Sequence, residues 1–202
     1  LRPVENPQQA LIRLDIIPRD QHCISRKNIS DGALKVMSRL RSGGFQAYLV
    51  GGAVRDLLLG GRPKDFDIAT DATPEAVTAL FRNSRIIGRR FRIVHVRFGR
   101  EIIEVTTFRG HHDTKLNESQ QDEKGGNHSR QSASGLLLRD NVYGTLEEDA
   151  ARRDLSVNAL YYDSGKFEVF DHLHGLKDLE NRTICIIGIP EQRYTEDPVR
   201  ML

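Results

Sequence analysis

The sequence predicts an α+β fold, a mixed sheet with flanking helices, on three observations. Short apolar runs of strand length alternate with stretches of helical period, and glycine pairs or a proline punctuate the junctions. Two strand-like runs, 94–98 and 102–107, are separated by little more than Gly99-Arg100, which reads as a hairpin turn. At roughly 100–200 residues per domain, the 202 residues suit one domain, or one with part of a second.

Residues 1–29 mix proline, charge and a short apolar patch (Leu11, Ile12, Leu14, Ile16, Ile17) without a sustained period, so a mostly extended lead-in is expected. From Ser30 onward, Leu34, Val36, Met37 and Leu40 recur at helical spacing, closed by Gly43-Gly44. The run 48–50 reads as a strand ending at Gly51-Gly52, after which Val54, Leu57 and Leu58 resume a helical period up to Gly60-Gly61. Pro63 breaks the chain before a second short strand around Phe66 and Ile68. Thr73-Pro74 has the form of an N-cap followed by proline at the first helical position, opening a helix through Leu80 and Phe81. The hairpin follows. Residues 111–135 are polar, with Leu116 their single large apolar residue, and read as a flexible loop. Beyond them come a helical pattern over 146–151 that continues around 155–160, a strand pair at 167–170 and 183–187, and Asp197-Pro198 as the start of another helix. The chain opens at Leu1 and closes at Met201-Leu202 inside that last pattern, as expected of a piece of a longer protein.

Composition narrows the functional classes. Thirty Lys and Arg stand against 28 Asp and Glu, a formal net charge of +2 that excludes a polybasic tail protein. No segment approaches the ~20 apolar residues of a membrane helix. Cys23 and Cys185 lie far apart and form no C-x-x-C pair, which suits a reducing compartment; the cytoplasm is expected.

The sharpest chemical feature is Asp65-Phe66-Asp67. On a strand, i and i+2 side chains share a face, so both carboxylates can hold one hard cation, for which Mg²⁺ is the natural guest. An isolated D-x-D is more often a solvated pair on an exposed face. Gly51-Gly52, between a strand and a helix, lets backbone N–H groups approach an anion, although a glycine pair is more often a tight turn. Arg55, in the first turn of that helix, can reach a polyphosphate or pair with Asp56 or Asp67. In 101–106, alternation sets Ile103 and Val105 on one face and Glu104 and Thr106 on the other. If that strand neighbours the one bearing Asp67, Glu104 supplies a third carboxylate, enough for two-metal phosphoryl or nucleotidyl transfer; otherwise it is an edge-strand glutamate facing water. Arg82, Arg85, Arg89, Arg90, Arg92, Arg97, Arg100 and Arg109 concentrate positive charge against only Glu101 and Glu104, as a polyanion-binding surface or a solvated face does. Arg153-Asp154 with Asn158 offers a grip for phosphate and ribose, or a satisfied polar stripe. Asp197 and Arg200, at i, i+3 spacing, suit either a helix start or the reading of a base edge.

Together these motifs resemble the bacterial class II nucleotidyltransferases, the family of the CCA-adding enzymes and poly(A) polymerase I. The resemblance rests on 48–60, on 63–67, on 147–154 with Asn158-Ala159-Leu160, and on 196–200, in that order, and covers about 30–202. Within the family, 88–92 with His95-Val96, 107–110, and 138–141 with Tyr143-Gly144 look like the poly(A) polymerase I branch. The resemblance implies a polymerase-β-like nucleotidyltransferase head over 30–187, with 111–135 as a variable, mobile region, and the start of a helical neck over 188–202. It implies that AMP is added from ATP to RNA 3′ ends without a template, and that Asp65, Asp67 and Glu104 bind Mg²⁺. Gly51, Gly52 and Arg55 would contact the triphosphate, Arg153, Asp154 and Asn158 the phosphate and ribose, and Asp197 and Arg200 the base. Asp154 counts with the three carboxylates among the catalytic residues. The expected partners are ATP and an RNA 3′ end. CCA addition to tRNA is the alternative, and a non-catalytic RNA-binding module on the same fold is the second.

Overall fold

The computed structural model describes residues 14–88, 91–110, 142–197 and 199, and the backbone alone of 130–131 and 137–139. Most of 111–135 and the residues Arg89, Arg90, Pro198 and Arg200 lie outside the described residues.

Eight strands form one sheet in the order β1-β10-β9-β2-β3-β6-β5-β4. They are β1 (Asp15–Ile17), β2 (Ala47–Val50), β3 (Asp67–Thr70), β4 (Ser84–Ile87), β5 (Ile93–Phe98), β6 (Glu101–Thr107), β9 (Leu160–Asp163) and β10 (Glu168–Asp171). A separate antiparallel ribbon joins β7 (Arg130–Gln131) to β8 (Leu137–Arg139). Within the large sheet every pairing is antiparallel except β3 with β6. That parallel junction follows from the connection, since the chain leaves β3 through a helix and two strands before returning beside it.

The helices are α1 (Asp31–Ser42), α2 (Gly52–Leu58), α3 (Pro74–Leu80), α4 (Leu146–Arg152), α5 (Gly175–Glu180) and α6 (Pro190–Glu196). Their starts follow local chemistry. Ser30 Oγ accepts from the Ala33 N–H, Thr73 Oγ1 from Ala76, and Thr145 with Glu148 forms a reciprocal capping box. The apolar stripe of α1 packs on one face of the sheet, against Leu49, Ile68, Val94, Val96, Ile103 and Val105. By strand alternation the opposite face carries Val50, Ala69 and Tyr161, covered by Leu146 and Ala150 of α4. Among the described residues no helix is long and apolar enough to cross a membrane.

Several elements differ from the sequence reading. Residues 14–29 are the edge of the sheet as well as an extended lead-in: β1 pairs with β10, and Ile17, Ile24 and Ile29 are buried. Residues 155–160 do not continue a helix. The Ser156 N–H donates to the Cys185 carbonyl, and the Asp154 carbonyl accepts from the Ile187 N–H, so these groups are taken from any α-helical ladder; a single 3₁₀ turn (Ser156–Asn158) then leads into β9. The partner of β10 is therefore β9, and 183–187 makes only a bridge between Ile186 and Leu155. Asp197 is the C-cap of α6, and apart from Val199 the residues that would carry a helix onward from it lie outside the described residues. Asp65 precedes β3 in a bend, so it does not share a strand with Asp67.

Candidate functional site

The second face of the sheet brings the acidic residues together at the junction of β2, β3 and β6. Asp67, the first residue of β3, is in register with Val50 at the end of β2 and with Glu104 of β6. Asp65 lies exposed in the bend that leads in. Burial, then the neighbouring Glu104 carboxylate, holds the Asp67 carboxyl above the ordinary range; Arg153 draws it down and Asp65 adds a further upward push. On the other side of β6, Glu104 Oε1 lies 3.1 Å from His95 Nε2 of β5, within hydrogen-bond distance.

The cationic side of the site is built around Gly51. Its φ of 74° and ψ of −145° belong to backbone that side chains rarely adopt, and a Cβ placed there would lie 3.8 Å from both Asp67 Oδ2 and Arg153 Nη1. The carboxylate and the guanidinium thus flank the same point where α2 begins, and the backbone conformation there is what calls for glycine. Gly52 follows, with a hypothetical Cβ 3.4 Å from Arg55 Nη2.

Arg153 is clamped from below. Its Nε donates to Tyr161 Oη at 2.9 Å and its Nη2 to Asp149 Oδ2 at 3.1 Å, while Tyr161 Oη donates to the same Asp149 oxygen at 2.7 Å. Burial works against the Arg153 charge, but Tyr161 and Asp149 outweigh it, so the group is a fixed cation. Asp149 Oδ1 also accepts the Arg109 backbone N–H, which ties α4 to the end of β6. Arg193 of α6 donates to the carbonyl oxygens of Arg152 and Arg153, so α6 grips the C-terminal end of α4 directly behind the guanidinium.

Arg55 sits between two partners. Its Nη1 donates to Asn158 Oδ1 at 2.9 Å, and its Nε and Nη2 donate to Asp56 Oδ1 at 3.0 and 2.8 Å. The structure therefore joins Arg55 with Asn158 and with Asp56, not with Asp67. Asp154 accepts from the Leu155 N–H through Oδ1 at 2.7 Å, and it is half-buried. Asp197 is half-buried at the end of α6, and no described contact brings its side chain to the carboxylates.

Among the described residues no three His, Cys, Asp or Glu side chains are spaced to enclose a metal ion. The donor chemistry nonetheless fits a hard cation. Asp67 and Glu104 face each other in register, Asp65 stands close enough to act on Asp67, and all three offer carboxylate oxygens. A cation held between them would offset the repulsion from Glu104 and Asp65 that adds to burial in raising Asp67.

Sequence reasoning missed Asp149, Tyr161, His95 and Arg193 as participants. Asp149 and Arg153 stand at i, i+4, a spacing that signals an ion pair on a helix. The other three depend on strand register or on the packing of α6, for which local sequence carries no signal.

Residues 47–185 match the family model of the Poly A polymerase head domain. The chain is 55% identical over its whole length to Poly(A) polymerase I of Escherichia coli O6:H1, covering 42% of that protein. It is 34% identical to the CCA-adding enzyme of Staphylococcus aureus strain Newman over 87% of the chain and 40% of that protein. Its fold is similar to the crystal structure of the Bacillus stearothermophilus CCA-adding enzyme in complex with CTP, with a TM-score of 0.65 at 34% identity, over 85% of this chain and 36% of that one. The chain thus spans about two fifths of the length of the curated relatives it matches.

Proposed function

The chain belongs to the Poly A polymerase head-domain family, and from that premise we propose that it is the catalytic head of a polynucleotide adenylyltransferase, which extends RNA 3′ ends with AMP from ATP. The observation that carries the reading is the register of Asp67 with Glu104 beside the fixed Arg153 guanidinium at the Gly51 turn. Such an arrangement sets negative ligands for a cation next to positive ligands for a triphosphate.

In this reading Asp65, Asp67 and Glu104 hold Mg²⁺. Bound there, the metal supplies activation of the RNA 3′-hydroxyl and neutralises charge on the α-phosphate. The 3′-oxygen attacks the α-phosphorus, the bond to the β-phosphate oxygen breaks, pyrophosphate departs, and the hydroxyl proton goes to solvent. Arg153, fixed by Asp149 and Tyr161, takes the phosphate charge without having to be ordered during the reaction. Gly51 and Gly52 admit the triphosphate to the start of α2, and Arg55 with Asn158 lies on the same flank. Asp154, next to Arg153, holds the ribose, while Asp197 and Arg200 read the base.

Extension of a labelled RNA by the full protein, with ATP and CTP supplied separately, tests the proposal. Long tails with ATP alone are expected. Addition of C, C and A to a truncated tRNA assigns the protein to the CCA-adding activity, and no extension with either nucleotide returns it to RNA binding without catalysis. Asp67→Ala is expected to abolish AMP transfer while leaving the thermal unfolding midpoint within a few degrees of the parent, because Asp67 is only half-buried and its removal relieves repulsion from Glu104 and Asp65. Retained transfer by this variant overturns the metal assignment.

A further inference from the structure

The side chains of Arg85 and Arg97, in the arginine-rich stretch 82–109, are not used by the site described above, and strand register shows where they point. Arg85 of β4 is in register with His95 of β5, His95 with Glu104 of β6, and Glu104 with Asp67 of β3. Residues in register share a face, so these four form one row across the sheet. The hydrogen-bond-distance contact between His95 and Glu104 confirms the shared face. Arg97, two residues beyond His95, points the same way and pairs with Ile102, which is 42% exposed. On the reverse face Val94 and Val96 are buried against the helices.

Arg85 and Arg97 are exposed, and among the described residues neither takes part in an ion pair. Arg92, by contrast, is committed to Glu75 on α3. With strands spaced about 4.8 Å apart, β5 and β4 lie roughly 5 and 10 Å beyond Glu104. The wing is therefore a positively charged, open continuation of the carboxylate row.

The order of charge along the row assigns its ligand. Gly51 and Arg153 lie on the β2 and β9 side of Asp67, the carboxylates occupy β3 and β6, and the free arginines lie on the β5 and β4 side. In an in-line displacement the attacking oxygen and the leaving pyrophosphate stand on opposite sides of the phosphorus. If the pyrophosphate departs toward Arg153, the attacking 3′-hydroxyl enters from the side of Glu104. We infer that the 3′-terminal nucleotides of the RNA lie along the β5–β4 wing, with Arg85 and Arg97 on their backbone phosphates. This inference rests on the adenylyltransferase reading and extends it from the nucleotide to the primer strand. Contacts to phosphate position a strand and carry no sequence preference, as suits an enzyme that must accept each product as its next substrate.

The test uses the full protein, a 3′-hydroxyl oligoadenylate, and the double variant Arg85→Ala/Arg97→Ala. The expected result is an RNA KM raised at least about tenfold, with the KM for ATP and kcat held within about twofold. The plot of log affinity for RNA against log salt should flatten by about 0.7 per arginine removed. Arg85→Lys/Arg97→Lys keeps both charges and should restore the salt slope. An RNA KM and salt slope unchanged in the alanine variant, with extension intact, overturn the inference. Failure of the parent protein to bind ATP or extend RNA overturns the transferase reading itself, and the inference with it.

Discussion

At the scale of single residues, the cluster of Asp149, Arg153 and Tyr161 does most to define the site, because it converts a mobile cation into a fixed one. Asp149 accepts from the Arg109 N–H, the Arg153 guanidinium and the Tyr161 hydroxyl while its side chain is only 8% exposed. Asp149→Ala leaves Arg153 largely buried without its counter-charge, and should cost about 3–5 kcal/mol in urea unfolding. Tyr161→Phe removes one hydroxyl from the same cluster. It should cost only about 1 kcal/mol, yet it should also raise the KM for ATP. Equal losses from the two variants would show that Asp149 is not the hub. His172 offers a second test at this scale. Burial pulls its imidazole below the ordinary range, only partly offset by Glu147 and Asp171, and its Nε2 has no partner among the described residues. Its folded value lies below its unfolded one, so the unfolded chain binds the proton more readily. The stability this contributes is complete above the unfolded value near 6.5 and is lost as pH falls from there through the folded value. Unfolding midpoints measured from pH 7.5 down to about 5.5 should fall less steeply for His172→Gln than for the parent. Residue identity made Asp67, Gly51 and Arg153 legible in the sequence, since each falls in a short motif. Tyr161 was not, because its hydroxyl meets Arg153 only after β9 has been laid beside β2.

At the scale of elements, the glycine turn before α2 has the least tolerance. Gly51→Ala forces a side chain into a left-handed φ and should cost about 1–3 kcal/mol, even though the new methyl has ordinary van der Waals room beside Asp67 and Arg153. The same variant should weaken ATP binding, and a calorimetric titration that finds affinity unchanged would remove Gly51 from the binding role. Alternation in 101–106 placed Glu104 on the correct face from sequence alone. Its neighbour was beyond reach, because alternation tells which face a residue takes and never which strand lies next to it. The 155–160 segment shows the opposite failure. Leu155, Ala159 and Leu160 imitate a helical stripe, but hydrogen bonds to Cys185 and Ile187 recruit the backbone around Asp154 and Ser156, and the chain turns into β9 instead. Asp154 is consequently presented from a tight turn, not from a helix face.

At the scale of the whole molecule, the N-terminal stretch is a structural member of the sheet. Ile17, Ile24 and Ile29 are buried, and β1 covers the free edge of β10. Burial of an isoleucine contributes about 1.5–3 kcal/mol, so deletion of residues 1–29 should either prevent folding or leave a protein that self-associates through the bared edge. Size-exclusion chromatography with thermal unfolding checks this, and a monodisperse variant with parental stability would contradict it. Composition could not reveal the role, since three isoleucines scattered among prolines and charges have no period. The general architecture was legible where a helix carries its own cap, as at Ser30 and Thr73, or a strand its own turn, as at Gly99-Arg100. The eight-strand order was not, because it depends on contacts between segments far apart in the chain.

The single parallel junction of the sheet also sets a schedule. During synthesis Asp65 and Asp67 leave the ribosome well before Glu104, and α3, β4 and β5 must be made and folded back before β6 can reach β3. A nascent chain therefore displays the first two acids without the third, and its acidic centre is completed only when that crossover closes.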